Sequence, residues 1–173
     1  MRAALAVFFT LFLFGTIVAQ LNHVLTGWGV YLWIGGLFIT HPALGVSARA
    51  GFAAALLGGL LLDAATPVTF GTHALLFAVG HALVFRLRDR IPRDETAPRV
   101  ALALIANLVL FLVFTFLQSR HLPADAPHWP RVLVDLLCSQ LFILVAAPWF
   151  FALQARTLEL THSAVASYER RFG

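Results

Sequence analysis

The sequence has no lysine, a single cysteine and little charge of either sign, and each shortage removes a class of protein. Charged residues make up 12% of the 173 residues and hydrophobic ones 60%, where soluble domains carry about 25% and about 45–50%. A soluble fold of this length cannot cover so much apolar surface, whereas lipid can. With Cys138 alone, an internal disulfide framework and a cysteine-based zinc site are both excluded. Cys138 reads as a small apolar filler within a helix. Nucleophile elbow, phosphate-binding loop, dinucleotide fingerprint and His-Glu-x-x-His are all missing, so nothing marks an enzyme, a metal site or a cofactor site. The twelve basic residues are all arginine and give a net charge of +4, but they sit in short segments between apolar runs. That placement speaks for membrane topology rather than nucleic acid.

What is present is a series of apolar runs. They lie at Ala3–Ala19, Val24–Thr40, Ala50–Leu62, from Pro67 or Phe70 to Phe85, Val100–Leu117 and Val132–Leu153. Each is long enough, or nearly so, for a transmembrane helix. The first follows Met1-Arg2, and its exit at Thr16–Gln20 lacks the small residues of a cleavage site. It is expected to be an uncleaved span. His41-Pro42 is expected to stop the second. The reading is an all-α polytopic membrane protein of six transmembrane helices, with a membrane domain over 1–155 and a short tail over 156–173. Leu158, Val165, Tyr168 and Phe172 give that tail a loose helical spacing, which suits a surface helix or a frayed end equally.

Loop charges orient the bundle. With the N-terminus inside, Arg2, Arg49, Arg86, Arg88, Arg90, Arg93, Arg99, Arg156, Arg170 and Arg171 are cytoplasmic, and only Arg120 and Arg131 are external. Both termini are therefore expected in the cytoplasm. Trp28, Tyr31, Trp33 and Trp129 fit an outer aromatic belt and Trp149 an inner one, while Pro123, Pro127 and Pro130 mark a polar outer connection. The loop from Arg86 to Arg99, net +2 with Asp89, Asp94 and Glu95, suits anionic lipid or a cytoplasmic partner.

Gly51, Ala55 and Gly59 recur every four residues in the third run, and Ala54 and Gly58 widen that strip. Small residues let another backbone approach closely in lipid. The facing strip Ala74, Ala78 and Ala82 predicts an antiparallel hairpin of the third and fourth spans, the alternative being a helix of another protein. Asp63 ends the third run within the outer half of the bilayer, where a carboxylate is costly and marks function by default. The structural reading is that it accepts hydrogen bonds from the free amides near Gly71 to His73, with Pro67 starting the next helix. His73 and His81 are about 12 Å apart along one helix, too far to share a metal; helix-to-helix hydrogen bonds are expected of both. Asn107, Asp135 and Ser139 are further polar insertions, and Pro148 interrupts the last run.

The stretch Gly58-Gly59-Leu-Leu-Leu62-Asp63, followed by Pro67, Gly71-Thr-His73-Ala74-Leu75 and Arg86-Leu-Arg88, resembles the signature region of the MreD family of rod shape-determining proteins. Members are bacterial inner-membrane proteins of about this length with five or six spans. The resemblance implies a non-catalytic scaffold of the peptidoglycan elongation machinery. Its implied partners are MreC, the MreB filament and the paired cell-wall synthases. The family's fold is similar to the S-components of energy-coupling-factor transporters, which supplies an alternative: capture of a small vitamin-like ligand between the helices.

Overall fold

The computed structural model describes the backbone of residues 2–92, 95–119 and 129–172, and the side chains of 5–92, 95–119 and 129–160. Arg93, Arg120, Pro123 and Pro127 lie outside the described residues, as do the side chains of Arg2, Val165, Tyr168, Arg170, Arg171 and Phe172. Regular structure among the described residues is helical throughout: α1 (Arg2–Leu25), α2 (Gly35–Gly45), α3 (Ala48–Ala65), α4 (Thr72–Leu87), α5 (Thr96–Ser119) and α6 (Trp129–Phe172). Short 3₁₀ turns follow α1 at Thr26–Trp28 and α4 at Arg88–Arg90.

Four stretches are long and apolar enough to cross a bilayer: Leu5–Trp28, Ala48–Ala65, Thr96–Ser119 and Trp129–Leu160. Their outward positions are themselves apolar, among them Phe9, Val24, Ile105, Phe116, Leu137 and Val145. A surface of that kind suits hydrocarbon. The protein is therefore a helical membrane protein.

The arrangement centres on α2. Every residue from Gly35 to Leu44 is buried, and α2 packs on α3, α4, α5 and α6. A helix that is apolar all round is an interior helix. Leu37, Phe38 and Ile39 form the middle of the core, joined by Val7 and Leu11 of α1, Phe77 of α4 and Ile143 and Phe150 of α6. Gly36 brings α2 against α5, since a Cβ there would run into the Ala103 carbonyl and the backbone of Asn107.

The second apolar run departs from expectation. Val24–Thr40 is not one helix: α1 extends to Leu25, residues 30–34 are non-helical, and α2 starts only at Gly35. Nor does His41-Pro42 end the helix, because Pro42 lies inside α2, three residues before its last residue. Pro42 deprives only one carbonyl of its helical donor, so a short helix held on all sides by neighbours accommodates it. Pro67 does not open α4 either; it sits in the bend over 66–71, and the helix begins at Thr72 behind Gly71, whose φ of 96° a residue with a side chain rarely adopts. The backbone of α6 is one helix through Phe172, with Pro148 within it. Trp33 is 3% exposed and belongs to the core rather than to an aromatic belt, while Trp28, Trp129 and Trp149 are exposed.

Candidate functional site

Asp63 stands in the last turn of α3 with its side chain fully buried. Its carboxylate faces the start of α4, where the first amides of a helix have no partner within the helix. Oδ2 accepts from the amides of Gly71 (3.0 Å) and Ala74 (3.1 Å). Oδ1 accepts from the His73 amide (2.9 Å) and pairs with Nδ1 of the His73 ring (2.9 Å). Four donors meet about four lone-pair sites, so the carboxylate is saturated. Bonds of this kind are about twice as strong as neutral ones. The positive end of α4 adds to them.

The small-residue strip holds the same hairpin together, but it serves two neighbours. Gly59 lies against the backbone of His73 and Ala74 in α4, whereas Gly58 faces the Phe38 ring of α2. At Gly51, the Pro42 carbonyl and His81 Nε2 occupy the place a side chain would need. Ala54, Ala55, Ala74 and Ala78 are buried, while Ala82 is exposed and borders a groove shared with Ala48, Arg49 and Phe52 of α3. One residue earlier on α4, His81 faces inward. His81 is buried between Phe52 and Phe85, whose ring centroids lie 6.1 and 5.9 Å away.

A second polar arrangement holds the non-helical backbone before α2. Asn22 of α1 binds Leu32 twice, Nδ2 donating to its carbonyl (2.9 Å) and Oδ1 accepting from its amide (2.7 Å). The Tyr31 amide donates to Asp135 (2.8 Å) and the Trp33 amide to the Ser139 hydroxyl (2.9 Å), both on α6. The Gly36 amide donates to Asn107 of α5 (3.0 Å). Irregular backbone within a membrane protein needs internal partners of this kind. Asn107, Asp135 and Ser139 were visible as polar insertions, but their common target was not. Asn22 is the site residue that sequence reasoning misses, although an amide interrupting an apolar run is a usable signal.

Between the two arrangements lies a cavity of about 500 Å³, bounded by α1, residues 31–34, the end of α3, the bend over 66–68, His73 and the end of α5. Trp33, His73 and Phe114 make its aromatic side: His73 and Phe114 ring centroids are 4.8 Å apart, and Trp33 and Phe114 are 6.0 Å apart and stacked. Among the described residues, no three His, Cys, Asp or Glu side chains come together as a metal site would require. Comparison with protein-family models, with characterised proteins and with solved structures gives no match.

Proposed function

We propose that this chain is a six-span, non-catalytic scaffold of the bacterial inner membrane, with both termini cytoplasmic, that binds an MreC-like bitopic partner within the cell-elongation complex. The observation that carries the reading is the saturated Asp63 carboxylate. Its acceptors are all engaged by the protein's own donors, so it serves as a clamp and leaves no free carboxylate for acid–base chemistry. The residues of the MreD-like stretch, Gly59, Asp63, Gly71 and His73, are the ones that meet in this clamp.

Six crossings are supported by path length and by shared ends. α2 alone rises only ~16 Å at 1.5 Å per residue, but the five non-helical residues before it, 30–34, can add at most about 17 Å. Together they suffice for ~30 Å of hydrocarbon. The cavity draws on the late parts of α1, α3 and α5 and the beginning of α4, so consecutive helices alternate in direction. Arg49, Arg86, Arg88 and Arg90 then share the opposite end, the cytoplasmic one by charge. The MreB filament and the cell-wall synthases follow as indirect partners, and anionic lipid as the neighbour of the Arg86–Arg99 loop.

A mild-detergent pull-down of the tagged chain, analysed for proteins by mass spectrometry, tests the scaffold reading. Recovery of a bitopic MreC-like protein with cell-wall synthases is the expected outcome. Recovery of an ATPase module in their place would overturn it in favour of a transporter component.

A further inference from the structure

The cavity beside the clamp has a use that a scaffold does not require. Its volume of about 500 Å³ falls in the range of small-molecule pockets, about 300–1,000 Å³. No charged side chain lines it. Trp33, Tyr31 and Phe114 contribute aromatic surface, and Asn22, Thr66, Gln118, the Tyr31 hydroxyl and the unpartnered Trp33 Nε1–H are the polar groups of its lining residues. Asn22 already uses both ends of its amide on Leu32.

His73 supplies direction. The residue is 2% exposed, and Nδ1 faces Asp63. A carboxylate oxygen only accepts, so Nδ1 carries the hydrogen and Nε2 of the neutral ring keeps its lone pair. The ring lines the cavity, and Nδ1 to Asp63 is its one side-chain hydrogen bond among the described residues. Nε2 is not one of the fully buried nitrogens without a partner, so it opens on the cavity space, where a donor can reach it.

We propose that this cavity binds an uncharged, planar, largely apolar small molecule that donates one hydrogen bond to Nε2 of His73. The absence of lining charge disfavours ions, because an ion would leave water without a counter-charge. The stacked Trp33–Phe114 pair favours a flat apolar body. Asp63 thereby has two roles, clamping the hairpin and fixing the His73 tautomer that the ligand meets.

The test uses 2-naphthol, a neutral planar donor, with the full purified chain in lipid nanodiscs and empty nanodiscs as the partition control. Saturable 1:1 binding is expected. 2-Methoxynaphthalene, which lacks the donor, and 2-naphthoate, which is charged, should each bind weaker by about tenfold or more. Ala19→Phe, at an exposed position on α1 that lines the cavity, should abolish binding without changing the melting temperature. Ala65→Phe fills the cavity from α3 and serves if the first variant misfolds. Non-saturable uptake, equal binding of the methoxy compound, or undiminished binding to the filled variants would overturn the proposal. The measurement needs no partner protein, so its failure and that of the scaffold reading are separate results.

Discussion

At the scale of single residues, one carboxylate organises the best-defined part of the molecule. Asp63 replaces the missing intrahelical partners of the first turn of α4, for the amides of Gly71, His73 and Ala74. Removing it leaves these donors in a low-dielectric interior at ~1–3 kcal/mol each. Asp63→Ala should therefore destabilise the fold by at least about 3 kcal/mol, read as a fall in melting temperature in detergent. Asp63→Asn should cost less, since it keeps one acceptor oxygen but turns an amide NH₂ toward backbone donors. An unchanged melting temperature in the alanine variant would disprove the clamp. This much was legible in the sequence, because Asp63 stands eight residues from Gly71 and a carboxylate near a turn has few places to go. The sequence also points to a helix-to-helix hydrogen bond at His73; that its ring shares Oδ1 of Asp63 is not legible, because it depends on the exact rotation of α4 and on the start at Thr72 rather than near Pro67.

Among the elements, α2 and the non-helical backbone before it show where sequence periodicity fails. Residues 24–40 are almost uniformly apolar, and uniform apolarity reads as a continuous span. The break is stabilised by Asn22, Asn107, Asp135 and Ser139, which come from three helices and lie up to 106 residues away in sequence. No local signal carries such information. The small-residue strip of α3 was legible for a similar physical reason in reverse: spacing by four identifies a face, although not that Gly58 and Gly59 face different neighbours. Asn22→Leu strips both backbone groups of Leu32 of their partners. Its cost should be about 2–4 kcal/mol, from two unsatisfied buried groups. Hydrogen exchange at the Leu32 amide checks this: slow in the parent and faster by two orders of magnitude or more in the variant. Equal protection in both would show that the segment is held by packing alone.

For the molecule as a whole, composition was the strongest guide, since 12% charge and 60% apolar residues leave a helical membrane bundle as the economical solution. Length and apolar composition together mark four helices among the described residues as able to cross. Two further crossings are proposed, one by the buried α2 with the non-helical residues before it and one by α4, which the Asp63 clamp holds beside α3. The scaffold reading depends on that path, which would put the cavity at the outer end, the arginines at the inner end, and a partner against the lipid-facing helices. The direct measurement is labelling by a membrane-impermeant thiol reagent in spheroplasts, on a Cys138→Ala background with Ser47→Cys and Thr69→Cys introduced singly. Both positions are exposed, Ser47 between α2 and α3 and Thr69 between α3 and α4. Six crossings predict that Thr69→Cys is labelled on intact spheroplasts and Ser47→Cys only after lysis. Labelling of Ser47→Cys from outside would contradict the account, because α2 would then not cross.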